Sequence, residues 1–246
     1  MTERILYQFP ISHYCEKSRW QLDHKGLAYR TRNLLPGPHR LRTQWMARIN
    51  TLPVLRDGQR VVGDSTKIAY YLEKHYPERS LIPTDAESRA RVIELEQQLD
   101  RVAVHVRRWL YGQIIDRPEV MDAMLDPYRL PSPVQKVLAP VTREGVRRLY
   151  RIEPKAVAHS GQRLEEGLDL VEQTLRRGNG RYLVGEQLTL ADITAAGLLA
   201  PLVSPAGTPW DMFEEGSLPA ALQKQLDDLR TRPAGQWVLE RYAEDR

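Results

Sequence analysis

Hydrophobic and polar positions change rhythm once along the chain. Over residues 4–83, short apolar runs alternate with helical patterns. Ile5 to Phe9 is an apolar run stopped by Pro10, and it predicts a strand. Residues 13–25 predict a helix, with Ser12 as N-cap and Gly26 as its stop. Leu27 to Leu34 alternates in part and predicts a second strand. Leu35 to Pro38 reads as a loop and residues 41–49 as a weak helical turn. Two further strand patterns, Pro53 to Arg56 and Arg60 to Val62, flank Asp57-Gly58, a pair that tolerates the positive φ of a tight hairpin. Asp64 or Ser65 then caps a helix that runs to about Tyr76 and ends at Pro77. The order βαβ then ββα is that of a thioredoxin-like fold.

After Pro83 the strand signals fade. Val92, Leu95, Leu99, Val102 and Val106 recur at three- and four-residue steps and predict a long amphipathic helix over 86–115. Residues 116–154 hold Pro118, Pro127, Pro131, Pro133, Pro140 and Pro154, so short helices and loops are expected there. A helix over 155–177 is closed by Gly178-Asn179-Gly180. Thr189-Leu-Ala-Asp192 predicts a capping box, with Leu188 and Ile193 stapling the helix start. Ser204 to Pro209 reads as a loop, and helices over about 218–230 and 233–243 end the chain. The expected architecture is α/β plus all-α: a thioredoxin-like domain over 1–80, then an all-helical domain over 86–246.

Composition narrows the function classes. With 246 residues, 41% hydrophobic and 28% charged, the chain has an ordinary soluble globular mixture. No apolar run approaches the roughly 18 to 20 residues of a membrane helix. The run after Met1 to Arg4 is too short for a signal peptide core, so a cytoplasmic location is expected. The one cysteine, Cys15, excludes an intramolecular disulfide, and the six histidines are scattered without zinc-site spacing. The net charge of +4 comes from basic residues interleaved with acids. That reads as a solvated surface that attracts small anions, with no metal and no nucleic-acid patch expected.

Three segments carry a resemblance. Tyr7 to Trp20 (YQFPISHYCEKSRW) resembles the first strand, catalytic loop and first helix of cytosolic glutathione S-transferases of the bacterial, serine-type, theta-like kind. Leu52 to Leu55 (LPVL) resembles the strand that in this family starts with a cis proline. Gly63 to Glu73 resembles the turn and helix that hold the γ-glutamyl end of glutathione. Leu188 to Leu199 and Leu229 to Tyr242 resemble later helices of the family, so only residues 113–154 lie outside the likeness. The order and spacing of these segments carry the likeness together. His13, in place of a frequent proline, and Asn50-Thr51, without the usual glycine, depart from the pattern.

The resemblance implies transfer of the glutathione thiolate to small electrophiles, with peroxidase activity as a variant and detoxification as the setting. Glutathione would be a co-substrate, the partner a small electrophile and the assembly a homodimer. A thiol has an unperturbed pKa of about 8.5 and must be deprotonated to attack. The Ser12 hydroxyl, at a helix N-terminus, can supply one hydrogen bond to the thiolate, contributing about 1.5 to 3 kcal/mol. Cys15 and Tyr7 are its rivals. Cys15 occupies the second place of a C-x-x-C pattern whose first place is Ser12, and some members of the family resembled use a tyrosine of the first strand, which makes Tyr7 a rival. A cis Pro53 would present the Leu52 main chain to an extended peptide. Asp64 would meet the glutathione ammonium, and Ser65 with the helix amides its carboxylate. Tyr14, His105, Arg108, Trp109 and Tyr111 are candidates for the electrophile pocket between domains. Lys17 and Arg19 read as solvated helix-face charges. Two other classes stay open: a thiol oxidoreductase working through Cys15 mixed disulfides, and a non-catalytic binding module of the same fold.

Overall fold

A computed structural model describes residues 3–178, 180–213 and 218–246. Met1 and Thr2 of the charged start, and Asn179 of the Gly178-Asn179-Gly180 stop, lie outside the described residues. Four strands come first: β1 (Arg4–Gln8), β2 (Arg30–Asn33), β3 (Val54–Asp57) and β4 (Arg60–Gly63). They form one sheet of order β2-β1-β3-β4, with β1 and β2 parallel and the other pairs antiparallel. Helix α1 (His13–His24) follows β1, α2 (His39–Ala47) follows β2, and α3 (Ser65–His75) follows β4. Most of residues 41–49, read as a weak turn, thus belong to a full helix, which stops at Ala47 where Arg48 takes the left-handed region.

Side-chain alternation on β1 and β3 builds two packing layers. Leu6 and Leu55 meet Leu22 of α1 and Ile68 and Leu72 of α3. Tyr7 and Val54 pack with Cys15, and Met46 and Ala47 of α2 lie against that group.

From Ala86 onward the described elements are helical. Helix α4 (Ala86–Ile114) runs 29 residues, and α5 (Pro118–Leu125) follows it. A short 3-10 turn covers Asp126–Tyr128, and α6 (Ser132–Tyr150) comes next. Then come α7 (Pro154–Arg177), α8 (Leu190–Val203), α9 (Ala220–Thr231) and α10 (Pro233–Glu244). Every residue of α8 is buried, as its apolar character on all sides requires. It forms the centre of a core that joins Trp20 of α1 to α4, α7 and α10. Two glycines let α4 and α7 approach. A Cβ on Gly167 would stand 2.5 Å from Val102 Cγ1, and one on Gly112 would stand 2.6 Å from Val157 Cγ2. Among the described residues no helix is long and apolar enough to cross a membrane.

The expectation of short helices and loops over 116–154 is corrected by α6, a 19-residue helix. The prolines start helices more often than they break them. Pro118 and Pro154 occupy first helical positions, Pro127 and Pro133 lie in first turns, and Pro131 is an N-cap, all places where a missing N–H costs no helix bond. Pro140 stands inside α6, where it frees the Lys136 carbonyl; both residues are exposed, so water satisfies that group.

The predicted Asp192 capping interaction is present and buried. Its carboxylate accepts the Thr189 N–H (2.8 Å), the Thr189 hydroxyl (2.7 Å) and the Leu183 N–H (2.7 Å). Asp192→Ala orphans all three donors. It should therefore cost at least about 2 kcal/mol in urea unfolding, beyond an ordinary cap. Burial pushes the Asp192 carboxyl up to about 6, against the bonds that lower it. Its folded pKa then exceeds the unfolded value, so the folded state holds the proton more tightly. The wild-type advantage over the variant should be fullest below about pH 4 and shrink as pH rises through about 6.

The sheet and the helical layer are locked by charge. Lys17 Nζ on α1 is fully buried and bonds Glu96 Oε1 (2.6 Å) and Asp100 Oδ1 (3.1 Å) of α4, and Thr66 Oγ1 (3.1 Å) of α3. The Thr66 hydroxyl also donates to Glu96 at 2.5 Å. The reading of Lys17 as a solvated charge is therefore corrected. Lys17→Met should destabilise the protein by about 3–5 kcal/mol, because Glu96 is left buried and unpaired. Lys17→Met combined with Glu96→Met should recover a large part of that loss. A double-mutant cycle in urea checks this, and strictly additive losses would show the pair uncoupled.

Candidate active site

Sheet register gathers the three sequence segments at one end of the molecule. Tyr7 pairs with Val54, and Val54 pairs with Gly63. The ends of β1 and β4 and the start of β3 therefore lie side by side. Ser12 follows β1, Leu52-Pro53 precedes β3, and Asp64-Ser65 follows β4, so all of them lie at this end. Two strand spacings separate the first from the last, roughly 10 Å. An extended tripeptide is also roughly 10 Å long.

Ser12 is the N-cap of α1. Its backbone is extended, and its Oγ accepts from the Cys15 N–H at a long 3.4 Å. The residue is half-buried, and its hydroxyl also bonds the Cys15 thiol, a bond that lowers the pKa of that thiol. The loop before it is held from three directions. The Ser12 N–H donates to the Phe9 carbonyl (3.1 Å), Arg19 Nη2 to the Pro10 carbonyl (3.1 Å) and Trp210 Nε1 to the Ile11 carbonyl (3.1 Å). Arg19 is further tied to Glu16 (2.7 Å) and Gln8 (2.5 Å). The reading of Arg19 as a solvated charge is corrected: it fastens the strand, loop and helix together. Trp210 was not singled out in the sequence, because its contact spans 199 positions.

The two rivals of Ser12 sit in the core. Cys15 is fully buried, and burial pushes its thiol pKa up, opposed by the Ser12 bond and Arg19. Tyr7 is buried against Cys15, Leu52 and Val54, with the Arg42 guanidinium 5.3 Å from its ring centre.

Leu52-Pro53 is a cis peptide. The ladder begins at Val54, so the Leu52 main chain lies outside it. Asp64 caps α3 from a positive φ of 78°, its Oδ1 accepting the Thr66 and Lys67 N–H groups (3.0 Å each). Asp64 is exposed and Ser65 is buried beside it at the helix start.

The five candidate pocket residues fall into two groups, and helical period explains the division. At 100° per residue, positions 105, 108 and 109 share one face of α4, while 107 and 111 share the opposite one. His105 and Arg108 both reach Ser160 Oγ of α7 (3.1 and 3.2 Å), and Trp109 lies against Gly161. Burial first, then the charge of Arg108, holds the His105 pKa down. Arg108 Nε also bonds the Tyr150 carbonyl (2.7 Å) at the end of α6. This group staples helices.

Tyr14 and Tyr111 belong to the other face. The Tyr14 hydroxyl donates to the Asp100 carbonyl (3.0 Å), and burial pushes its pKa well up. Tyr111 stacks on Tyr150 with ring centres 5.9 Å apart. Between them lies Arg107, with its guanidinium carbon 3.9 Å from the Tyr150 ring centre and 5.8 Å from that of Tyr14. His13 stands 4.7 Å from the Tyr14 ring. Arg107, Tyr150 and His13 were missed in the sequence. Positions 100, 104, 107 and 111 share a face of α4 by helical period, but that this face turns toward α1 is set by tertiary contacts. Among the described residues no group of three or more His, Cys, Asp or Glu is placed to hold a metal.

Comparisons with known proteins agree on one family. Residues 6–80 match the model of the glutathione S-transferase N-terminal domain, and residues 154–235 match that of the C-terminal domain. The chain is 27% identical over 221 residues to glutathione S-transferase 1 of Dianthus caryophyllus, covering 85% of this chain and 80% of that one. It is 27% identical over 241 residues to protein LigF of Sphingobium, covering 93% and 90%. The crystal structure of that protein, a beta-etherase, superposes with a TM-score of 0.61 at 22% identity over 97% of this chain and 99% of that one. A glutathione S-transferase from Methylobacterium radiotolerans, solved with glutathione sulfonate, gives 0.59 at 20% identity over 97% and 95%. The two family matches together span well over half of the sequence, the sheet and helices are those of a thioredoxin-like unit followed by an all-helical one, and the chain belongs to the glutathione S-transferase family.

Proposed function

We propose that this protein transfers the glutathione thiolate to small electrophiles, with Ser12 as the residue that stabilises the thiolate. One observation carries the reading: register places Ser12, Leu52 and Asp64-Ser65 side by side at one end of the sheet, across the length of an extended tripeptide. In this reading residues 1–80 hold glutathione, and residues 86–246 supply the wall that faces the electrophile. The Leu52 main chain pairs with the peptide like an added strand. The Ser65 hydroxyl and N–H at the start of α3 meet the γ-glutamyl carboxylate, and Asp64, whose Oδ1 holds the Thr66 and Lys67 amides, meets the ammonium.

The Ser12 hydroxyl accepts from the Cys15 N–H, and in this reading its proton turns from the neutral Cys15 thiol to the charged glutathione sulfur, the stronger acceptor. A hydrogen bond to a charged group contributes about 1.5 to 3 kcal/mol, which lowers a thiol pKa by roughly one to two. The dipole of α1 adds up to about 1 kcal/mol. Together these bring an ordinary thiol near neutrality without a general base. In the reaction the sulfur forms a bond to the electrophilic carbon, and the leaving group departs with the bonding pair.

The burial and raised pKa of Cys15 favour this reading over mixed-disulfide chemistry, since the thiolate is the reactive form. Beta-etherase chemistry, as named for the Sphingobium relative, is one member of the same reaction class.

Calorimetry should detect glutathione binding at low-millimolar affinity or better, and a flat titration with folded protein would refute the proposal. Ser12→Ala should raise the pKa of the bound thiol by roughly one to two and lower the neutral-pH rate about ten- to a hundredfold. Glutathione affinity should change little, because the rest of the tripeptide is held elsewhere. Cys15→Ser should leave the thiolate absorbance titration in place. An unchanged titration in Ser12→Ala, together with loss of activity in Cys15→Ser, would replace the transferase reading with the mixed-disulfide one.

A further inference from the structure

Arg107 is a cation without a carboxylate partner, 5.8 Å from the ring of Tyr14, which lies two residues beyond Ser12. Among the described residues no carboxylate pairs with it, and its buried Nε has no hydrogen-bond partner. The nearest acid on the same face of α4, Asp100, lies seven residues away, roughly 10 Å along the helix, and is committed to Lys17. A second orphan stands with it. His13 is 4% exposed, its Nε2 is buried without a partner, and its ring packs on Tyr14, as the Arg107 guanidinium does from 5.8 Å. His13 is the residue next to Ser12. Burial, and then the charge of Arg107, lowers the pKa of its imidazole, and the neutral ring in its Nε2–H tautomer is a donor to an oxyanion. Tyr14, Tyr111 and Tyr150 supply aromatic surface around the two orphan nitrogens.

We infer that Arg107, with His13 beside it, forms an anion subsite for the electrophile, so that the preferred substrates are aromatic electrophiles carrying a carboxylate. The inference rests on the transferase reading and names its substrate class. A guanidinium in partly dry surroundings gains most from a planar oxyanion that takes two parallel N–H bonds, and a ring attached to that anion stacks on the neighbouring tyrosines. The cation–π contact with Tyr150 orients the guanidinium and leaves its charge unneutralised. A neutral electrophile would enter the same site and leave both nitrogens buried without partners, which is the larger source of discrimination.

The test compares 4-chloro-3-nitrobenzoate with its methyl ester. In each, the glutathione sulfur displaces chloride from the same ring carbon, and the two differ in the anionic group. After division by the uncatalysed rates, the wild type should favour the carboxylate in kcat/KM. Arg107→Met should reduce that preference by about tenfold or more, and Arg107→Lys should retain part of it. A wild-type enzyme without carboxylate preference overturns the inference, as does an equal loss for both substrates, which marks Arg107 as a staple for Tyr150 only. Weaker glutathione binding in Arg107→Met with an unchanged preference also overturns it, because the guanidinium would then hold the carboxylate of glutathione itself. Calorimetry with 3-nitrobenzoate and methyl 3-nitrobenzoate, without glutathione, reads the subsite independently of the chemistry. Tighter benzoate binding that Arg107→Met abolishes would stand even if glutathione failed to bind.

Discussion

The buried ammonium of Lys17 sets the relation between the sheet and the helices that cover it. It reaches from α1 to Glu96 and Asp100 on α4 and to Thr66 on α3, so one charge fixes three elements from both parts of the chain. Removing an ammonium and a carboxylate from water costs several kcal/mol each, and only close geometry offsets it. Any sliding of α4 along α1 would separate the pair in a low-dielectric interior. The lock therefore holds the register in which the Arg107 and Tyr111 face of α4 meets His13 and Tyr14 of α1.

The same helix carries the candidate nucleophile-activating residue. Lys17 lies one turn and a residue beyond Ser12. A loop fastened by Arg19 and Trp210 then leaves the Ser12 hydroxyl little freedom of position. Helix starts recur at this end of the sheet: α1 begins after Ser12 and α3 after Asp64, so the positive ends of two helix dipoles face the same region. The site is thus built mainly from backbone polarity arranged by strand register. It needs few special side chains, which is why its sequence signals are weak one at a time.

Helix α6 shows the opposite economy. None of its residues is buried, yet its last turn is tied to α4 through the Tyr150 carbonyl and ring, and to the turn just after α4 through the Arg147–Asp116 pair. Residues 113–154 carried no family likeness and many prolines. They bring two tyrosines to this end of the molecule: Tyr128, whose hydroxyl donates to the Leu34 carbonyl (2.6 Å), and Tyr150, which meets Arg107 across more than forty positions.

The sequence by itself determined most elements and their order. The strand runs, the Ser12 and Asp64 caps, the Thr189–Asp192 box and the long α4 are local signals, written within a few residues by propensity, period and hydrogen-bonding side chains. It also kept Ser12, Leu52, Pro53, Asp64 and Ser65 in an order that register could bring together. Tertiary structure alone decided which charges are solvated and which are buried. Lys17 and Arg19 look like surface residues on any helical wheel, and only packing against α4, β1 and the loop withdraws them from water. Proline density misled over 116–154, because a proline at a helix start and one at a break read alike until the flanking turns are placed. The Arg107 and Tyr111 face of α4 was the least legible. A run such as His105 to Tyr111 spreads its side chains around the whole helix, and which of its faces meets α1 is settled by long-range contacts that no local pattern encodes.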